Sequence, residues 1–360
     1  MSFLESLGWT PFFESQVDRD AESHLVPARV AEEQRGQYTL LAHGAEWRGE
    51  LAGRLRHEAN TEGALLPCVG DWAMTTLPGG RPEDGIARIE RVLDRRSKFS
   101  RKESGNRSAE QIVAANIDTV FLVQSLNGDL NHRRLERYLT LLWESGAEPV
   151  VVLSKADLCV DRDAVVAEIE AVAQGAAVHA VSAVEPEGLA ALDRYLSKGK
   201  TAALVGSSGV GKSTILNTLV GRERMRVQEI RADDRGRHTT TARHLVPLPQ
   251  GGLLIDTPGM RTVILWEGEE GLGKAFGDVE AVAAECRFRD CTHRTEPGCA
   301  VRDALDAGTL DAARFRSYVK LGREARRMAT KTDIRLREEE KRKWKRIHVA
   351  QRNRPDKRKV

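Results

Sequence analysis

The chain has 360 residues, 41% of them hydrophobic and 30% charged, with a formal net charge of +3. This composition excludes a disordered or collagen-like chain. The longest run without Asp, Glu, Lys or Arg, Ala171–Val184, has 14 residues, too few for a membrane-spanning helix. The amino terminus shows no basic-then-apolar leader, and three of the five cysteines crowd into 14 residues. A reducing, cytoplasmic setting is therefore expected, with a metal rather than a disulfide scaffold.

Residues 26–93 read as short strands between glycine-bearing turns: Val26–Ala31, Gln37–Ala42, Arg48–Leu55, Asp71–Leu77 and Ile86–Val92. Such a series fits a small closed barrel, of which the oligonucleotide-binding type is one. The basic run Arg95–Lys102 that follows reads as a solvated linker. From Asp118 the pattern becomes strands alternating with helices, with Thr119–Gln124, Pro149–Leu153, Ala177–Val181 and Thr201–Val205 as strands. His132–Glu144, Arg162–Ala173 and Leu189–Leu196 read as helical. Alternation of this kind implies a parallel sheet with helices on both faces.

Ser154-Lys155-Ala156-Asp157 ends one of those strands. A carboxylate at Asp157 can accept the ring N–H and the exocyclic amino group of guanine, a pair that adenine lacks. The stem of Lys155 can lie along the base. Ser182-Ala183 ends the next strand and can offer backbone N–H groups to the guanine oxygen. Either motif alone is common on surfaces; together they lie where α/β sheets bind ligands.

Gly206-Ser207-Ser208-Gly209-Val210-Gly211-Lys212-Ser213 fits the phosphate-loop pattern G-x-x-x-x-G-K-[ST] and stands between a strand and a helical segment opening at Thr214. Glycines let backbone N–H groups wrap a phosphate chain, Lys212 reaches the terminal phosphates, and Ser213 can ligate Mg²⁺. Fifty residues beyond Gly206, Asp256-Thr257-Pro258-Gly259 closes an apolar strand. There Asp256 can hold Mg²⁺ through water and the Gly259 N–H can sense a terminal phosphate. The polar loop between them holds His238, Thr239, Thr240 and Thr241. One of these threonines can complete the magnesium shell.

The base-reading motifs thus precede the phosphate loop, the reverse of the usual order, which is a circular permutation. Cys286-x₄-Cys291-x-His293-x₅-Cys299 follows, three thiolates and an imidazole at spacings that suit one structural Zn²⁺. Residues 314–360 hold 19 Lys/Arg against 6 Asp/Glu, which points to a polyanionic partner, with a merely solvated helix as the bland reading. Within them Leu321, Ala325 and Met328 can form one packed face.

These motifs, with Ala115-Asn116-Ile117-Asp118, resemble the ribosome small-subunit-dependent GTPase A family over nearly the whole chain from Val26. The resemblance implies a multidomain α/β plus all-β protein. Its expected parts are an oligonucleotide-binding-type barrel (1–100), a permuted GTPase domain (101–270) and a zinc-binding, mostly helical domain with a basic tail (271–360). It implies GTP hydrolysis with Mg²⁺ as a switch in late maturation of the small ribosomal subunit, contact with ribosomal RNA, and action as a monomer away from membranes. It also implicates His238 in positioning water, since Met260 stands where Ras-like enzymes have a glutamine. Ser154 stands where Asn or Thr is usual, so a weaker brace on the phosphate loop is expected. From the residues alone, an RNA-binding protein whose affinity is tuned by nucleotide and a P-loop ATPase or kinase stay open.

Overall fold

The computed structural model describes residues 2–61, 66–102, 110–126, 130–185, 188–221, 243–256 and 269–332. Within them, strands β1 (Val26–Gln34), β2 (Gln37–Ala42), β3 (Ala45–Leu51), β4 (Trp72–Thr76) and β5 (Ala87–Val92) pair in the order β1-β2-β3-β5-β4. Pairing of β1 with β4, Val26 opposite Thr75 through Arg29 opposite Trp72, closes the barrel. Each strand turns alternate side chains inward, so that Val30, Leu40, Trp47 and Ile89 fill the interior. The helix Gly53–Thr61 links β3 to β4. It begins within the expected strand Arg48–Leu55, because β3 ends at Leu51, just before Gly53.

The run from Arg95 is not a solvated linker. Arg95 grips Asp71 through two bonds of 2.7 and 2.6 Å, with both side chains buried. Arg96 bonds Asp118 at 2.6 Å. From Lys98 the chain is a strand, β6 (Lys98–Lys102), antiparallel to β7 (Glu110–Ala115). Phe99 of β6 is buried. The expected boundary at residues 100/101 therefore runs through β6.

The remaining strands are β8 (Thr119–Ser125), β9 (Glu148–Ser154), β10 (Ala177–Ala180), β11 (Thr201–Val205), β12 (His244–Pro247) and β13 (Leu253–Asp256). They lie in the order β10-β9-β8-β11-β13-β12, and all but β12 are parallel. Both faces are covered, so β8 is buried along its whole length. Phe121 and Val123 face the phosphate-loop helix, Lys212–Val220. Val120 and Leu122 face the core that includes His132–Glu144. The stretch Leu189–Leu196 winds as a short 3-10 helix over Ala190–Tyr195.

One residue pair, Glu32 opposite His244, joins β1 to β12 and makes barrel and sheet a continuous eleven-stranded surface. On the far side, the helix Glu269–Ala275 lies on His132–Glu144 so closely that a Cβ at Gly271 would stand 2.1 Å from the Thr140 oxygen. The long helix Ala312–Thr332 packs there too, with Leu321 and Ala325 buried; the side chain of Met328 lies outside the described residues.

Candidate functional site

The phosphate loop leaves β11 at Gly206, where φ is +149° and a Cβ would come within 2.2 Å of the Val123 oxygen. Only glycine fits so near the neighbouring strand. Gly211 caps the helix Lys212–Val220 with φ +94°, leaving the first-turn N–H groups directed outward, as anion binding requires. Lys212 Nζ donates to the carbonyl of Gly206 at 2.8 Å and to that of Ser207. Ser213 and Thr214 are exposed in the first turn beside the exposed Ser208 and Gly209, while Val210 is buried beneath.

Asp256 ends β13, opposite His244 of β12. Burial pushes its carboxyl above the usual range, and the charges of His244 and Lys212 partly offset this. Lys212 and Asp256 thus sense each other across the end of the sheet, the arrangement that a metal-bound phosphate needs.

The residues expected to read the base form one hydrogen-bonded unit. Ser182 Oγ donates to Asp157 Oδ1 at 2.8 Å, and the Ala156 N–H donates to the Val181 oxygen at 3.1 Å. Lys155 takes a left-handed conformation, φ 59°, which turns the chain sharply as it leaves β9. Ser154 is buried, and its hydroxyl lies 2.5 Å from the Val210 oxygen and 3.1 Å from that of Gln124. The weaker brace expected from the short side chain is not found. Ser154 reaches the phosphate loop directly, because β9 and the loop approach closely over β8.

Thr218, on the phosphate-loop helix, has its hydroxyl 3.3 Å from the Ala183 oxygen and 2.9 Å from that of Thr214. Gly188 lets its turn pass close to Ser182, since a Cβ there would lie 2.1 Å from the Ser182 oxygen. Neither residue carries a readable motif. Their signal was proximity to the Ser182 turn and the phosphate helix.

His238, Thr239, Thr240, Thr241 and Gly259 lie outside the described residues, as does Met260.

Cys286, Cys291, His293 and Cys299 converge, their ligand atoms all within 4.8 Å of one another. Cys286 Sγ lies 3.9 Å from Cys299 Sγ and 3.6 Å from His293 Nδ1, and Cys299 Sγ is 3.5 Å from the same nitrogen. In a tetrahedral zinc site ligand atoms stand about 3.5–3.8 Å apart, so the donor set fits Zn²⁺ with no position left for substrate.

A second group of residues sets the frame. Arg29, fully buried in β1, donates to the carbonyls of Gly70 (2.8 Å), Leu7 (2.5 Å) and Asn116 (3.0 Å) and to Thr201 Oγ1 (3.3 Å). Asn116 returns a bond to Gly70 at 3.1 Å, and Asp118 accepts from the Thr201 N–H at 2.9 Å. The Ala115–Asp118 motif is thus the joint between the barrel and β11, the strand that carries the phosphate loop. Its visible signal for Arg29 was a lone charge inside the apolar strand around Val26–Ala31.

A parallel sheet whose base-reading strands come before its phosphate-loop strand, with an antiparallel strand at the far edge, defines a circularly permuted P-loop GTPase. A sequence model of the RsgA GTPase family matches residues 92–266. The chain is 46% identical to the small ribosomal subunit biogenesis GTPase RsgA of Opitutus terrae, over 98% of this chain and 97% of the relative. It is 45% identical to the protein of the same name from Streptomyces avermitilis, over 95% and 91%. Among solved structures, YjeQ from Thermotoga maritima superposes with a TM-score of 0.61 at 27% identity, covering 84% of this chain and 98% of that one. YloQ, a circularly permuted GTPase, shares the fold with a TM-score of 0.60 at 23% identity, over 86% and 98%. The chain belongs to the RsgA family of GTPases.

Proposed function

We propose that this GTPase acts on the small ribosomal subunit late in its maturation, gripping ribosomal RNA in the GTP form and leaving after hydrolysis. The guanine reading rests on one observation above the others: Asp157, held by Ser182, stands in a unit braced to the phosphate loop by Ser154. The target is supported by the names of relatives that match almost end to end.

In this reading the amides of Gly206–Gly211 cradle the phosphates, Lys212 neutralises the terminal ones, and Ser213 and Asp256 hold Mg²⁺ together with one of Thr239–Thr241. Bound Mg²⁺ neutralises charge on the bridging and terminal phosphate oxygens. Gly259 senses the terminal phosphate and His238 orients water, a task Met260 cannot perform. Zn²⁺ on Cys286, Cys291, His293 and Cys299 is structural. The division of labour follows the expected parts, 1–100, 101–270 and 271–360, with the first boundary moved off β6, in a monomer working in the cytoplasm. Among the described residues no helix is long and apolar enough to cross a membrane.

The test is GTP hydrolysis with and without purified small subunits. Stimulation by the subunit, and loss of guanine preference in Asp157→Asn, are expected. Equal turnover in both conditions would remove the subunit as the trigger, and equal binding of ATP and GTP by the unaltered chain would remove Asp157 as the base reader.

A further inference from the structure

Between two of the candidate zinc ligands, Cys286 and Cys291, the chain exposes an aromatic ring. Phe288 is 41% exposed. The loop that carries it is well braced. The Arg287 N–H donates to the Gly298 oxygen at 3.1 Å and the Cys291 N–H to the Phe288 oxygen at 3.2 Å. The Glu296 carboxylate accepts from Thr292 Oγ1 at 2.5 Å and from the N–H groups of Thr292, Arg294 and Thr295 at 3.0, 2.9 and 3.0 Å. A ring presented on so fixed a loop loses little freedom on binding.

Arginines surround it, together with the carboxylates of Glu285, Asp290 and Glu296. The Arg287 guanidinium lies over the Phe288 ring, 5.5 Å from its centroid. Arg289 and Arg294 are exposed on the same loop, opposed by the exposed Asp290. The His293 ring meets Phe315 edge-on at 6.0 Å, which seats the loop against the first turns of the helix Ala312–Thr332. That helix has two faces. Arg314, Ser317, Leu321 and Ala325 are buried, whereas Arg316, Lys320, Arg323 and Arg327 are exposed at spacings of four, three and four. Residues so spaced share one helical face, so a cationic stripe runs along the helix against which His293 seats the loop.

We propose that Phe288 is a base-stacking residue, taking one unpaired base of single-stranded or looped RNA. Arg287 and Arg289 contact the flanking phosphates, and the helix stripe extends the track. An exposed ring among arginines is the combination that unpaired RNA recognises, because every base has a face to stack and every linkage a charge. A protein-binding anchor is instead ringed by apolar contacts that exclude water, and a duplex buries its base faces. This inference deepens the proposed function and rests on its RNA partner.

The experiment measures binding of the full chain, at several salt concentrations, to purified small subunits, to a short unstructured RNA and to the same RNA as a duplex. Phe288→Leu, with zinc content and helicity as fold controls, is expected to lower affinity for the subunit and the unpaired RNA about ten-fold without changing the salt slope. Phe288→Trp is expected to retain binding, and Arg289→Gln to flatten the slope by roughly 0.7 for a single strand. Wild-type binding by Phe288→Leu, while the unaltered chain binds both targets, would overturn the stacking role and leave the RNA partner standing. Equal losses in the Leu and Trp variants would also overturn it, as would a preference for the duplex. Failure of the unaltered chain to bind either target would overturn both readings.

Discussion

Two buried arginines dock the flanking parts of this protein onto its GTPase sheet, and they do so by opposite chemistry. Arg29 joins the barrel through three backbone carbonyls and a threonine hydroxyl, with no carboxylate among its hydrogen-bond partners. Its guanidinium also lies 5.3 Å from the Trp72 ring centroid. Burial pulls its pKa down to about 10, partly offset by the more distant charges of Asp118 and Asp71. Arg314 docks the long helix mainly through carboxylates, bonding Asp278 at 2.5 and 2.8 Å and Glu136 at 3.1 Å beside the carbonyls of Ala275 and Val172, with its guanidinium 4.8 Å from the Phe276 ring centroid. Burial pulls Arg314 down as well, but Asp278 and Glu136 more than reverse it, leaving it above the ordinary arginine value.

The difference teaches how each seam fails. Losing the buried Arg29 donor leaves the Leu7 and Asn116 carbonyls and Thr201 Oγ1 without it, while the Gly70 carbonyl keeps its bond from Asn116. The Asp278 side chain keeps 24% exposure, so water can replace part of what Arg314 supplies. The barrel seam is built to stay shut, and the helix seam is one that solvent can reach.

The largest expected effect tests whether the Arg314 seam depends on zinc at the neighbouring Cys286, Cys291, His293 and Cys299 cluster. Zinc sites of this kind contribute on the order of 10 kcal/mol to folding their modules. Chelation should therefore strip hydrogen-exchange protection from about residue 271 onward while the barrel seam and GTP binding persist. Protection unchanged over 271–332 would show that the helix docks independently of zinc.

Next in size, Arg29→Met should cost about 3 kcal/mol or more in urea unfolding, at roughly 1 kcal/mol for each orphaned acceptor. Arg314→Met should cost about as much, because water solvates Asp278 but leaves Glu136 a buried, unpaired carboxylate. Proteolysis should then cut the helix Ala312–Thr332 sooner, with basal GTP hydrolysis retained. If adding Glu136→Gln to Arg314→Met recovers none of its loss, the contrast between a neutral and a charged seam is abolished.

The smallest effect sharpens the same contrast inside the amino-terminal segment, which is held at Leu7 by Arg29 and at Glu22 by Arg91. Bonds from Arg91 lower the Glu22 carboxyl below its ordinary 4.5. Its contribution is fully present above that unfolded value and disappears as pH falls through the lower folded one. At about 0.5 kcal/mol for a partly exposed pair, acidification below 4.5 should fray residues 16–25 in hydrogen exchange before Leu7 is released. Simultaneous release would mean that charge and neutral contacts fail together.

Much of the site was legible because its chemistry is written in short spacings. The glycines of residues 206–211 sit where a phosphate-wrapping loop needs them, and Cys286, Cys291, His293 and Cys299 are near enough in sequence to meet around one ion. The order of the motifs also exposed the permutation. Residues that act at a distance were not legible in this way. Arg95 looked like linker charge, yet it lies folded onto Asp71. Ser154 looked too short for its task until the separation of β9 from the phosphate loop was known.

By itself, then, the sequence determined which local loops carry the spacings that phosphate and zinc binding need, because a turn, a helix start or a four-ligand cluster depends on neighbours only a few residues away. Only the tertiary structure decided which charges are buried and which parts move as one. Arg29 meets Thr201 across 172 positions of chain, and Arg314 meets Glu136 across 178. Contacts of that span are set by how the sheet brings strands together, and no periodicity in the residues between them records the result.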